Sequence, residues 1–265
     1  MAFGPVLQIN VRKQNPSMLV MKFGGAALAT PEGVVRAAKR IAHQIQRGHQ
    51  AIVVVSAMGD ETNRLLALTR QVSPSATNLL EMDTVLCAGE QVAAGLMVLA
   101  LEAHGVRARS FLGQQIPILT DGQPSDAQII HVETRNLKAA LRSNVTPVIA
   151  GFQGVDSNAR LVTLGRGGSD TTAVAVAAAL QVDHCEFYKD VDGIYSADPA
   201  QTESARKFQF LTYEEMESLA LSGAEVLSLK AVRMAAQLKV PLHVRSAFYE
   251  TIGTQIDFKK EEVCV

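Results

Sequence analysis

Two hydrophobic rhythms alternate along this chain. Leu19 to Phe23 is an apolar run stopped by Gly24-Gly25, the form of a buried parallel strand entering a tight turn. Thr30-Pro31-Glu32 then offers an N-cap, a proline at the first helical position and an early acid. Val34, Val35, Ala38, Ile41, Ala42 and Ile45 keep helical spacing up to Gly48. Ala51 to Val55 is a β-branched run ending at Ser56, and Leu65, Leu66 and Leu68 fall on a further helix. Strand, helix, strand, helix is the order of a parallel sheet covered on both faces.

The same alternation continues. A helical stretch from Asn78 to Ala103, with a break expected near Gly89, precedes strands at Arg109 to Leu112 and Ile116 to Thr120 and a helix at Glu133 to Arg142. Pro147 to Ala150 reads as a buried strand ending in Gly151-Phe152-Gln153-Gly154, and Leu161 to Thr163 as a strand entering a second glycine turn. Alanines and valines from Asp170 to Leu180 predict a tightly packed helix, followed by a strand at Cys185 to Tyr188. Helices at Thr212 to Leu221 and Ala224 to Leu238 precede a last strand, Leu242 to Arg245. Met1 to Ser17 shows no sustained period and reads as a loose leader ahead of a single domain over residues 18–265.

Composition narrows the function classes. The 265 residues, 48% of them hydrophobic, suffice for a full core, and 25 basic against 26 acidic residues give no global field for nucleic acid or membranes. The N-terminus lacks the pattern of a signal peptide, and the most apolar run, Ala173 to Leu180, is far below the roughly 20 residues of a membrane span. Cys87, Cys185 and Cys264 are far apart and odd in number, as expected of reduced thiols in the cytoplasm. The six histidines show no HxxxH or HExxH spacing, so no dedicated transition-metal site is expected.

Three segments carry chemistry. In Gly165-Arg166-Gly167-Gly168-Ser169-Asp170 a strand enters a glycine turn that starts a helix, a source of unpaired backbone N–H groups and a positive helix end for an anion. Arg166 adds a fork that suits a carboxylate. Lys22, at the end of the first strand, stands where α/β sheets place their ligand crevice. Neither turn has the P-loop spacing, and no clean GxGxxG follows a strand. The third segment, Tyr188 to Pro199, echoes part of a calcium loop at Asp190, Asp192 and Gly193. It lacks the closing glutamate and flanking helices, and a loop beside a nucleotide fits it better.

Taken in order, Lys22-Phe23-Gly24-Gly25, Val54 to Gly59, Ala88-Gly89-Glu90, Ala108 to Phe111, Gly151 to Gly154, Gly165 to Thr172, Asp190 to Pro199, Tyr213 to Met216 and Val240 to Ser246 resemble the amino-acid kinase family, within it the aspartokinase catalytic domain. The resemblance covers nearly all of Leu19 to Gly253. It implies a three-layer αβα sandwich around a mainly parallel open sheet of about eight strands, with the amino acid on the N-terminal side and ATP on the C-terminal side. It further implies phosphorylation of the L-aspartate side chain by ATP, in amino-acid biosynthesis, and Mg²⁺ is expected from the chemistry of ATP alone. Lys22, Gly24 and Gly25 would meet the transferring phosphate, and Asp170 would organise Lys22. Ser56, Thr62, Glu90, Arg166, Gly167, Gly168 and Ser169 would line the aspartate site. Lys189, Asp190, Tyr195, Asp198 and Lys230 would border the nucleotide.

The chain also departs from that pattern. Ala26-Ala27 replaces two hydroxyl residues, removing two expected phosphate-side donors; Lys189 stands where the family has Thr, and Ala200 where Arg follows Asp-Pro. Asp60 and Glu61 add negative charge close to a pocket for an acidic substrate. Relatives usually carry C-terminal ACT domains that sense lysine or threonine, and only Thr254 to Val265 follows the last strand here, so feedback by that route is not expected. A naturally short enzyme, a truncated chain and a diverged paralogue working with a separate regulatory protein all fit, and a homodimer is the expected assembly. Two competing functions stay open at this level: a kinase for another acidic acceptor such as glutamate, and a diverged protein that binds nucleotide or a partner with little turnover.

Overall fold

The computed structural model describes residues 17–75, 77–202, 204–224 and 226–258. Most of the expected leader and Cys264 therefore lie outside the described residues. In chain order the elements are β1 (Met18–Phe23), a 3-10 turn (Ala26–Leu28), α1 (Pro31–Gln46), β2 (Gln50–Val55), α2 (Glu61–Val72), α3 (Leu79–Ala103), β3 (Ala108–Phe111), β4 (Ile118–Thr120), β5 (Ile129–Val132), α4 (Arg135–Arg142), β6 (Thr146–Ala150), β7 (Gln153–Val155) and β8 (Leu161–Thr163). Then come α5 (Gly168–Leu180), β9 (His184–Lys189), β10 (Ile194–Tyr195), β11 (Lys207–Phe208), β12 (Phe210–Leu211), α6 (Tyr213–Leu221), α7 (Leu229–Leu238), β13 (Leu242–Ser246) and β14 (Thr254–Ile256).

An eight-stranded sheet runs β12-β14-β13-β9-β1-β2-β6-β3. Every neighbouring pair in it is parallel except β13 with β14. The period-2 alternation of the central strands divides two cores. Leu19, Met21, Phe23, Val53 and Val55 pack under α1 and α3, whereas Val20, Ile52, Val54, Phe187 and Val244 pack under α5 and α7. This is the expected αβα sandwich. Lys22 shares the parity of Val20 and so faces α5; Lys189 shares that of Phe187 and faces the same way. Because Lys22 sits in register with Phe187 on the adjacent strand, Lys189 lies just beyond it at the same end of the sheet.

Local chemistry explains the element ends. Thr30 caps α1 by accepting from the Gly33 N–H, with Pro31 at the first helical position. Thr212 and Glu215 form a reciprocal capping box on α6. The break expected at Gly89 is absent, and α3 runs unbroken for 25 residues. A Cβ on Gly89 would stand 2.9 Å from that of Ala57, so glycine serves close packing against the β2 turn. With a mean hydropathy of 1.7, α3 has the length and composition of a membrane span, unlike the short run singled out in the sequence. It nevertheless carries buried Asp83 and Glu90 and packs on the sheet, as a core helix does.

Other expectations shift. The helix expected from Ala224 begins at Leu229, capped by Ser228, whose side chain accepts from the Ala231 N–H. The strands near Ile118 and Leu161 belong to a separate four-stranded sheet, β5-β4-β7-β8, and not to the main one. The main sheet reaches eight strands through β12 and β14, too short to show a period.

Candidate active site

Parallel strands deliver their C-terminal ends to one edge of the sheet, and there a pocket of about 810 Å³ opens. The turn after β1 contributes Lys22, Gly25 and Ala26, and the turn after β2 contributes Ser56, Ala57 and Gly59. Thr62 and Asn63 come from α2, Glu90 from α3, and Gly165 to Asp170 from the turn into α5. Lys189, Ser228 and Lys230 also line it, beside an apolar wall that includes Phe152 and Leu227. Twelve of the residues singled out in the sequence thus meet in one cavity: Lys22, Gly25, Ser56, Thr62, Glu90, Arg166, Gly167, Gly168, Ser169, Asp170, Lys189 and Lys230. Asp190, Tyr195 and Asp198 line a second cavity of about 510 Å³, and Lys189 and Ala224 border both. Gly24 lines neither, but lies beneath the two lysine side chains.

The centre of the pocket is a buried charge cluster. The Lys22 ammonium is 2.6 Å from Asp170 Oδ1, and both groups are almost fully enclosed. The Lys189 ammonium donates to Asp170 Oδ2 at 3.1 Å, and the Ser228 N–H donates to the same oxygen at 3.3 Å. Burial pushes Asp170 upward, but the two ammonium groups outweigh it and hold the carboxyl at about 2. Burial also draws Lys22 down to about 8, with Asp170 opposing and Lys189 assisting. Two cations around one carboxylate leave the cluster ready for an anion.

Backbone geometry reinforces this. Gly167 precedes α5 with φ of 75°, and a Cβ there would lie 2.1 Å from that of Ser228. Only glycine lets the first turns of α5 and α7 approach so closely, and both helix N-termini face the pocket.

Glu90 lines the same pocket. Its Oε1 accepts from the Ala57 N–H at 3.0 Å, while Oε2 is buried without a partner among the described residues. Burial raises its carboxyl to about 7. A buried carboxylate oxygen left open beside a ligand cavity is a place for a cationic donor.

Some residues behave otherwise than their sequence positions suggested. Ala27 packs in the core beside Leu28, so of the two lost hydroxyls only the one at Ala26 faces the pocket. Asp60 accepts from Asn63 and Glu61 pairs with Arg64 at 2.7 Å; neither lines the cavity. Lys230 is paired with Asp126 at the rim. Tyr195 donates to Asp192, which Lys207 also holds, and Asp198 caps its own turn through the Ala200 N–H.

Sequence reasoning missed Ser228 and Asp83. Ser228 was hidden by placing the helix start too early. Asp83 sits one heptad before Glu90 on the buried stripe of α3 and accepts four hydrogen bonds, from the N–H and hydroxyl of both Ser125 and Thr163. Two acids on an apolar stripe were the available signal. Asp83 thereby ties β8, which feeds the glycine turn, to the helix that carries Glu90. Asp83→Asn would set an amide NH₂ against donors, and about 1–3 kcal/mol of stability should be lost, measurable by urea denaturation.

The family model for amino acid kinases matches residues 17–246. This chain belongs to the amino acid kinase family. Within the family, it is 46% identical over 248 residues to an aspartokinase of Mycolicibacterium smegmatis, covering 93% of this chain and 59% of that protein. It is 43% identical over 246 residues to an aspartokinase of Pseudomonas aeruginosa, covering 93% and 60%. The chain thus spans about three-fifths of the length of these curated relatives. The crystal structure of aspartate kinase from Synechocystis superposes with a TM-score of 0.81 at 38% identity, covering 93% of this chain and 40% of that one. Aspartokinase III of E. coli, solved in complex with aspartate and ADP, shares the fold at a TM-score of 0.82 and 24% identity, covering 92% and 65%.

Proposed function

We propose that this chain transfers the γ-phosphoryl group of ATP to the side-chain carboxylate of L-aspartate, giving 4-phospho-L-aspartate and ADP. The observation that carries this reading is that one pocket holds both a cationic cluster, at Lys22, Lys189 and two helix N-termini, and buried Glu90 with an unused oxygen. A phosphoryl group suits the first, and the α-ammonium of an amino acid the second. The 43–46% identity to aspartokinases supports aspartate as the acceptor.

The acceptor needs no general base, because a side-chain carboxyl with a reference pKa of about 3.9 is already ionised at neutral pH. Asp170, held at about 2 with both oxygens facing ammonium groups, suits orientation and not proton transfer. A carboxylate oxygen attacks the γ-phosphorus as its bond to the bridging oxygen breaks, and ADP leaves with that electron pair. The chief barrier is bringing two anions together: unit charges 4 Å apart repel by about 4 kcal/mol at an effective dielectric of about 20. Lys22 and the amide of Gly167 offset that repulsion, while the Gly168 N–H closes the turn on the Gly165 carbonyl at 2.9 Å. Arg166, exposed at the pocket mouth, orients the α-carboxylate, with Ser56, Thr62 and Ser169 lining the acceptor side. Asp190, Tyr195 and Asp198 place the nucleotide in the adjoining cavity.

Among the described residues no group of three or more His, Cys, Asp or Glu side chains is positioned to hold a metal, and Asp170 is engaged by lysines. This donor set fits Mg²⁺ that arrives on the triphosphate, where it would neutralise phosphate charge, better than a resident ion.

Release of ADP measured with aspartate, glutamate and N-acetylglutamate, together with hydroxamate trapping of the acyl phosphate, tests the reading. Aspartate should give the highest kcat/KM. A better rate with glutamate reverses the acceptor assignment, and ATP binding without transfer to any acid removes the kinase reading.

Glu90 adds a pH signature. An ammonium ligand requires its carboxylate form, so kcat/KM for aspartate should fall about tenfold per pH unit below about 7. Glu90→Gln should abolish that acidic limb and raise KM roughly 10- to 100-fold, the loss of one hydrogen bond to a charged group. Initial rates from pH 5.5 to 8.5 decide it.

A further inference from the structure

The ion pair between Lys189 and Asp170 gives this pocket a second cation that comes from a different strand than Lys22. Lys22 and Lys189 end adjacent parallel strands on the same face, and Gly24 lies between them. A Cβ built there would be 3.8 Å from Lys22 Nζ and 3.7 Å from Lys189 Cδ. Asp170 holds the two ammonium groups on its two oxygens, at 2.6 and 3.1 Å, so their directions are fixed by one buried carboxylate. Lys189 also borders both cavities, the one that contains Glu90 and Arg166 and the one that contains Asp190, Tyr195 and Asp198. A group passing from the second cavity to the first must cross this boundary.

On the same rim Ala26 presents a methyl group where the resemblance anticipated a hydroxyl donor. The cost of that substitution depends on what else reaches the phosphate. An ammonium contributes both a hydrogen bond and a full charge, and charge-assisted bonds are about twice as strong as neutral ones.

We propose that Lys189 is a second phosphate-neutralising residue, paired with Lys22 through Asp170 and directed at the terminal phosphoryl group in transit, in place of the donor lost at Ala26. The proposal rests on the reading of the chain as an ATP-dependent kinase. It assigns Lys189 to the transferring phosphoryl and not merely to the border of the nucleotide. Lys22 and Lys189 grip that group from two strands, while Asp170 keeps them from repelling each other out of place.

The test compares K189T, K189R and the double variant K189T/A26T with the unaltered chain. Calorimetric titrations use ADP and a non-hydrolysable ATP analogue, both with Mg²⁺, alongside kinetics of transfer to aspartate. K189T should bind the analogue at least about tenfold more weakly with its ADP affinity unchanged, and its kcat should fall about 100-fold with little change in KM for aspartate. K189R should retain more activity than K189T, and A26T should restore part of what K189T loses. The melting temperature should hold, because Asp170 keeps Lys22. Equal weakening toward ADP and the analogue places Lys189 on the inner phosphates and overturns the proposal, as does a kcat within twofold of the unaltered chain. If the unaltered chain binds the analogue but phosphorylates no aspartate, the acceptor assignment fails, and the difference between analogue and ADP still decides Lys189.

Discussion

Lys22→Ala is expected to lower phosphoryl transfer by at least about 10³-fold without lowering the melting temperature. Removing a single preorganised donor from a site of developing charge typically costs 10²- to 10³-fold, and Lys22 supplies a full charge as well as a donor. A loss of 10³ corresponds to about 4 kcal/mol of transition-state stabilisation. Stability responds differently. The folded state lowers Lys22 from 10.5 to about 8, so folding releases its proton between those values. Its charged form therefore opposes folding below pH 8, and that opposition fades as pH rises toward 10.5. Removing it spares the fold a buried cation, and Asp170 keeps Lys189 and the Ser228 amide. Hydroxamate trapping and a thermal melt of the same sample check both halves. Near-normal turnover would remove Lys22 from the reaction.

Asp170→Asn is expected to fail in the opposite sense, through both stability and rate. The substitution leaves two ammonium groups enclosed with no counter-charge, and breaking a buried pair from one side costs about 3–5 kcal/mol. For a chain of this size the melting temperature should fall on the order of 10 °C. The sign with pH follows from the carboxyl's depression from 3.8 to about 2: its contribution is complete above about 4 and is lost as pH falls through about 2. At neutral pH the unaltered chain should thus exceed the variant in stability by the full amount, and the gap should close in acid. Without Asp170, burial of Lys22 loses its main opposition and only the weaker pull of Glu90 remains, so the Lys22 pKa should fall below 8. The alkaline limb of activity should move to lower pH, with partial recovery of rate as pH is lowered. A variant with the unaltered pH profile and melting temperature would show that the carboxylate does not organise these lysines.

Much of the site was legible in the sequence because its parts are local. The glycine turn from Gly165 to Asp170 is written in consecutive residues, and its backbone donors follow from the strand before it and the helix after it. Lys22 is likewise placed by a short strand whose C-terminal end must reach the crevice. Features fixed by distant packing were less legible. Gly89 reads as a helix breaker in isolation, yet its role is set by Ala57 on another element. Ala26 and Ala27 look equivalent in sequence, but the 3-10 turn points one into the pocket and the other into the core. The strands β12 and β14 are too short to carry a period, and β5 and β7 pair outside the main sheet.

The sequence alone determined the alternation of strands and helices, the placing of Lys22 at the C-terminal end of the first strand, and the anion-binding form of the turn into α5. These depend on side-chain periodicity and on backbone geometry within a few residues. Only the tertiary structure decided that Lys22 and Lys189 share Asp170, that one Glu90 oxygen is left without a partner, and that Asp83 ties the second sheet to α3. Each of these depends on burial, which sets both the charge balance and the missing hydrogen-bond partner. Burial at these positions is produced by elements far apart in the chain.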